Sequence, residues 1–244
     1  FVAGYKMGFK YFNIDNKKWE NIKDPMKSVE KHALYRARHI YQFNGEELLF
    51  GPETGGLTKY NMTTGIFTNY PQFTQTSDHC SHFIITPRYW WLATNEGLIQ
   101  ANARDQRLIK VWKQDDGLSD RVIYAVLEDL NGNIWVSTNR GINMINPETN
   151  TVNKYNEEDG LQGSEFNTAA CTKDPEGNLW FGGLEGINKI DKDFTPVAQI
   201  SPMPLFTRIQ LYNEDYTSTV SSPYLNEVIL PPGKNFINIE YQAP

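Results

Sequence analysis

The chain has 244 residues, 13% aromatic and 21% charged, with a formal net charge of −6. So many aromatics with so modest a charge exclude a disordered chain, and the acidic balance excludes a nucleic-acid partner held mainly through its phosphates, since that affinity comes from many Lys and Arg. The longest wholly apolar run, Val122 to Leu127, is six residues against the roughly 20 needed to cross a bilayer; two cysteines exclude both a disulfide scaffold and a Cys-rich zinc module.

In chain order, Phe1-Val2-Ala3-Gly4 reads as a strand already under way, as expected of a chain cut from a longer one. With Gly8-Phe9 and Asn13-Ile14-Asp15 it forms the end of a repeat that lacks its beginning. Lys31 to Phe43 has helix-like spacing at Leu34, Ala37 and Tyr41. The phase of the repeat assigns it instead to the first strand of the next copy, which continues through Leu49-Phe50, Gly56-Leu57 and Tyr60-Asn61. A third copy carries Trp91 and Gly97, each 44 residues before Trp135 and Gly141 of the fourth. The fourth runs from Asp116-Gly117-Leu118 through Asn131-Gly132-Asn133-Ile134-Trp135 to Gly141-Ile142-Asn143. The last repeats it as Asp159-Gly160-Leu161, Gly177-Asn178-Leu179-Trp180 and Gly186-Ile187-Asn188.

Each copy has one grammar. In the fourth, Val122 to Glu128, Ile134 to Thr138, Gly141 to Asn146 and Thr151 to Tyr155 are short β-type runs separated by turns rich in Gly and Asn. Four antiparallel strands in about 43 residues match one blade of a β-propeller. The aromatic of each second strand then packs between neighbouring blades. The repeats predict an all-β propeller of four to five blades over residues 1–200. Ser201-Pro202-Met203-Pro204 reads as a linker. Thr207 to Tyr212 and Asn235 to Tyr241 alternate like the first strands of an Ig-like β-sandwich over 201–244, too short to complete one.

Asp-Gly-Leu, then Asp129-Leu130-Asn131-Gly132-Asn133-Ile134-Trp135 and Gly141-Ile142-Asn143, resembles the two-component regulator propeller repeat. Asp159 to Asn167, followed by Trp180 to Asn188, is similar to the closing blade of that family. Leu230-Pro231-Pro232-Gly233 with Asn235 to Tyr241 resembles the start of the triple-tyrosine domain that follows such propellers. The first two copies depart most: Leu49 or Phe50 stands where Trp is expected, and Asp-Gly-Leu is missing before Lys31 and before Cys80. The resemblance implies the periplasmic sensor region of a two-component regulator, often a hybrid histidine kinase, that detects glycan breakdown products.

The residues themselves hold little catalytic signal. No nucleophile elbow, phosphate loop or His-Glu-x-x-His stretch occurs, so no catalytic residue, metal ligand or cofactor is assigned. His79-Cys80-Ser81-His82 would aim its histidines to opposite faces of a strand. Cys80 and Cys171 fall on first strands of non-adjacent blades and are expected to be free, buried thiols. Ligands of propellers meet the loops that enter the innermost strands, which selects Arg36, Arg38 and His39 in one blade, His79 and His82 in the next, Arg121 and Tyr124 in the third, and Glu165 and Asn167 in the last. Arg, Tyr and His suit an anionic or neutral saccharide; alternatively they knit blade edges together. The expected partners are a small molecule or oligosaccharide and possible homodimerisation, with no nucleic acid and with membrane attachment only outside this chain. A propeller lyase and a protein-interaction scaffold remain the alternatives.

Overall fold

The computed structural model describes residues 2–4, 8–21, 37–196, 205–211, 214–215, 230, 232–233 and 236–242. Two compact units divide the chain, Phe1–Phe194 and Thr195–Pro244.

The first unit is a series of antiparallel sheets, each an up-and-down meander in chain order. Sheet I holds β1 (Val2–Gly4), β2 (Gly8–Asn13) and β3 (Lys18–Asn21). Sheet II holds β4 (Ala37–Gln42), β5 (Glu47–Pro52), β6 (Thr58–Asn61) and β7 (Phe67–Asn69). Helix α1 (Pro71–Thr74) leads to sheet III, with β8 (His82–Ile85), β9 (Tyr89–Thr94), β10 (Gly97–Asn102) and β11 (Leu108–Trp112). Sheet IV holds β12 (Ile123–Glu128), β13 (Ile134–Thr138), β14 (Gly141–Asn146) and β15 (Thr151–Tyr155). Sheet V holds β16 (Phe166–Lys173), β17 (Leu179–Gly183) and β18 (Ile187–Ile190). The repeat phase is therefore right at Lys31 to Phe43: its described part is strand β4, and 31–36 lie outside the described residues. The last copy, expected complete, shows three strands among the described residues.

The repeat signatures are the bonds that hold each sheet in shape. Asp129 accepts hydrogen bonds from the backbone N–H of Asn131 and Asn133, the Asn133 amide and the Trp135 indole Nε1 at 2.9 Å. Asp174 repeats this on Asn178 and Trp180, again 2.9 Å from the indole nitrogen. One carboxylate thus closes the first hairpin and fixes the rotamer of the tryptophan that packs on the next sheet. Asp-Gly-Leu closes a single 3-10 turn: Asp116 and Asp159 accept from the N–H of Lys113 and Asn156, and Gly117 and Gly160 take φ of 105° and 96°, a region open mainly to glycine. Before sheet III, where the signature is absent, α1 takes its place and buries Phe73.

The core lies between sheets. Leu49, Leu57, Phe73, Cys80, Phe83 and Trp90 pack sheet II on sheet III; Trp91, Trp112, Leu118, Val126, Ile134 and Val136 join III to IV; Leu127, Trp135, Met144, Phe166, Leu179 and Phe181 join IV to V. Leu49 thus fills the place of the missing tryptophan. Trp91 and Trp112 are 0% exposed, and a buried aromatic of about 150–250 Å² contributes roughly 4–6 kcal/mol gross at about 25 cal/mol per Å². First strands gather on the inside, β12 against β8 and β16, and β4 against β8 and β16. Because strands alternate in direction, the starts of the first strands share one end with the turns between second and third strands. The other turns lie at the opposite end.

Among the described residues, the second unit shows a sheet of three strands in the order β20-β19-β21: β19 (Leu205–Leu211), β20 (Glu214–Asp215) and β21 (Ile237–Gln242). Arg208 donates to both carboxylate oxygens of Asp215, at 2.6 and 3.1 Å. The expected linker 201–204 lies outside the described residues.

Candidate functional site

At the entrance end, the innermost strands depart from ideal pairing at one shared position. In sheet II the register slips between Ala37 and His39, and in sheet IV between Ile123 and Ala125, so Arg38 and Tyr124 each occupy a bulge. A bulge re-aims the side chain it carries. In sheet V the interruption is larger: Phe166 pairs with Gly183 but Cys171 with Phe181, and Ala169 between them has φ of 56°, an uncommon conformation for a residue with a Cβ. Glu165 and Asn167, at the start of that segment, are exposed.

The cationic candidates at this end meet carboxylates from the neighbouring turns. Arg38 lies 3.8 Å from Glu53, and Arg121 lies 3.6 Å from Glu96 on sheet III. Arg140 lies 3.8 Å from Asp120, beside Arg121 in the chain. Tyr124 donates its hydroxyl to Asn139 at 2.8 Å. His79 sits in the loop before β8, its Nδ1 3.3 Å from the Ser81 hydroxyl and its backbone N–H on Ser77, which donates to Asn95 at 2.6 Å. Burial lowers the His79 pKa, while Glu53 and Asp78 oppose that shift and Arg38 adds to it. Exposed ion pairs of this type contribute about 0–1 kcal/mol each, so they orient the groups at little energetic gain.

His82 and His39 occupy a different level, on the inner strands. Their ring centroids lie 4.2 Å apart with the planes tilted by 51°, and His39 also meets Phe83 edge-on. His82 is 6% exposed; its Nδ1 accepts the Val126 N–H at 3.4 Å and its Nε2 lies 3.6 Å from Cys171 Sγ. A ring that accepts at Nδ1 carries its neutral-state proton on Nε2. Burial pushes the His82 pKa down to about 3 and that of His39 to about 4, so both are uncharged at neutral pH. His82 has its hydrogen-bonding capacity taken by the protein, and it does not converge with His79. Cys80 and Cys171 are both free, but Cys171 is only partly buried, short of the burial expected for it. Among the described residues, no three His, Cys, Asp or Glu side chains are grouped to hold a metal ion.

The sequence candidates thus separate into two levels. Arg38, His79, Arg121, Tyr124, Glu165 and Asn167 lie at the entrance end, His39 and His82 line the inner strands, and Arg36 lies outside the described residues. Sequence reasoning missed Glu53, Glu96, Asp120, Asn139 and Gln162. Gln162 is held by Asn188 and by the Glu185 N–H, while its amide nitrogen is buried without a partner among the described residues. A signal for two of these existed: Thr94 and Thr138 each cap a turn onto Gly97 and Gly141, which puts Glu96 and Asn139 at the tips that face the strand entrances.

Successive four-stranded meanders whose first strands gather inside define a β-propeller architecture. Among solved structures, the extracellular domain of BT4673 from B. thetaiotaomicron, described as a one component system, matches 98% of this chain with TM-score 0.59 and 17% identity. A second structure of that domain, described as a hybrid two component system, gives 0.52, again at 17% identity over 98% of this chain. At that identity the likeness concerns the fold. Residues 117–140 match the family model described as two component regulator propeller. A stretch of 58 residues, 24% of the chain, is 36% identical to Histidine kinase P4 of Formosa agariphila and covers 4% of it. The chain spans 44% and 46% of the two BT4673 chains.

Proposed function

We propose that this propeller is the ligand-sensing region, on the periplasmic side, of a hybrid two-component regulator with a histidine kinase output, and that it takes an oligosaccharide at its entrance end without catalysing a reaction. The observation that carries this reading is the repeated bulge, which turns out Arg38 and Tyr124 at one position of two sheets, beside exposed Glu165 and Asn167. Function concentrates on loops held by a rigid scaffold. Because Arg38, Arg121 and Arg140 each face a carboxylate, a neutral saccharide is favoured over an anionic one. The second unit then opens an Ig-like triple-tyrosine domain that relays binding towards the membrane, and dimerisation of two such chains is part of the same reading.

The test is a thermal-shift screen of the chain against neutral and anionic oligosaccharides, with product analysis on every hit. A neutral oligosaccharide should raise the melting temperature and be recovered unchanged. Product formation would establish an enzyme instead, and a screen without a single shift would contradict a saccharide sensor.

A further inference from the structure

The boundary between sheets III and IV differs from the boundary between IV and V in three ways, all at the end opposite the entrance. Trp135 donates its indole N–H to Asp129 six residues upstream, and Trp180 does so to Asp174. Trp91 has Ile85 six residues upstream, in a shorter first hairpin, and its Nε1 is buried with no partner among the described residues. Phe194 packs edge-on against Trp135 with ring centroids 5.5 Å apart; the equivalent residue of the preceding copy, 45 positions earlier, is Thr149. Leu130, on the first hairpin of sheet IV, reaches Gly177 of sheet V, and the shorter hairpin of sheet III has no counterpart to it. Where those groups would stand, a cleft of about 280 Å³ opens, with Trp91, Tyr89, Ile134, Asn131, Glu128 and Glu148 in its lining.

The lining is mixed in a particular way. Tyr89 is half-buried and meets Trp91 edge-on at 5.7 Å. Arg88 spans to Glu148 across the cleft and lies 5.2 Å over the Tyr89 ring, so that its charge is matched. The Glu128 carboxyl is raised by burial, an effect that Lys173 opposes and Asp129 reinforces. An apolar wall with a few convergent polar groups is what small-molecule sites present, and this volume lies just under the range of about 300–1,000 Å³ for drug-sized ligands. Apolar surface from the half-buried Tyr89 ring suits the C–H face of a ring. Glu128 and Asn131 accept from hydroxyls, while the Trp91 indole N–H has no accessible surface of its own.

We propose that the cleft between sheets III and IV binds one neutral, hydroxyl-rich ring of monosaccharide size, a site separate from the entrance end. The repeat interface that would be filled by Leu and Phe side chains is left open there, with the buried Trp91 in its wall.

The experiment uses the 244-residue chain labelled with ¹⁵N-tryptophan, whose six tryptophans give six indole resonances, with Trp91 assigned by Trp91→Phe. Glucose, galactose, xylose and N-acetylglucosamine are the probes. At least one should shift the Trp91 resonance saturably, and Glu128→Gln should weaken that binding by about tenfold or more, the loss of one charged hydrogen bond. Thr149→Phe should fill the cleft as Phe194 does in the next interface, abolish the shift and leave a folded protein of equal or higher melting temperature. Arg38→Gln and Arg121→Gln should leave the shift intact, which separates this site from the entrance site. No shift with any of the four sugars, or a shift that survives Thr149→Phe, would overturn the proposal; a shift lost in the two arginine variants would assign the binding to the entrance end.

Discussion

A single carboxylate, Asp129, accepts from two backbone N–H groups, one amide and one indole. Replacing it by alanine leaves the part-buried Trp135 donor unmatched, which costs about 1–3 kcal/mol. Asp129→Ala should therefore lower the unfolding free energy by about that amount in urea titration, and Asp129→Asn by less; an unchanged midpoint would remove the clamp from the account. His39 and His82 give a pH dependence of definite sign. Their ordinary pKa of 6.5 is lowered to about 4 and about 3 in the folded state, so the unfolded chain binds protons first. Stability is full above pH 6.5 and falls as pH drops below it, levelling for His39 near pH 4 and for His82 near pH 3. Each ring contributes up to about 1.4 kcal/mol per pH unit. His82→Asn should show a shallower loss between pH 6 and 4, and equal slopes for variant and native protein would contradict the buried neutral ring. The Asp and Trp of these hairpins were legible because they recur. The contact of the two histidine rings was not, since it joins residues 43 apart through the gathering of two strands.

Glycine positions decide the geometry of the second turn in each sheet. Gly141 has φ of 87°, and a Cβ there would run into the Tyr155 carbonyl of the neighbouring strand. Gly141→Ala should cost at least about 2 kcal/mol through strain and clash together, whereas Gly45→Ala, with nothing within 4 Å of the added carbon, should leave stability nearly unchanged. Similar losses at both positions, measured by thermal unfolding, would contradict the close approach of third and fourth strands. Strand bounds were readable to within a residue in sheet IV, where Val122 to Glu128 became Ile123–Glu128 and the other three runs matched. The bulges at Arg38 and Tyr124 were not readable, because a bulge is a mismatch between two strands and neither strand records it alone. Helix α1 escaped for another reason: at four residues, Pro71–Thr74 is too short to display a helical period.

For the whole molecule, repetition made the architecture legible and departure from repetition marks the candidate sites. The all-β propeller followed from copies spaced at about 43 residues. Stacked copies supply the same contacts at each interface, so contacts missing from one interface, such as those of Leu130 and Phe194 in the next, leave a cavity no single repeat predicts. The entrance end was legible in outline, because chain direction alone puts the starts of the first strands at one end. The carboxylates that neutralise its arginines came from turns of the same or an adjacent sheet. The central claim is that this end binds a neutral oligosaccharide, and isothermal titration tests it most directly, using the sugar with the largest thermal shift and three variants, Arg38→Gln, Arg121→Gln and Tyr124→Phe. The account predicts saturable binding by the native chain, weakened about tenfold or more in at least two variants, with the sugar recovered intact. Affinity unchanged in all three, or cleavage of the sugar, would contradict it.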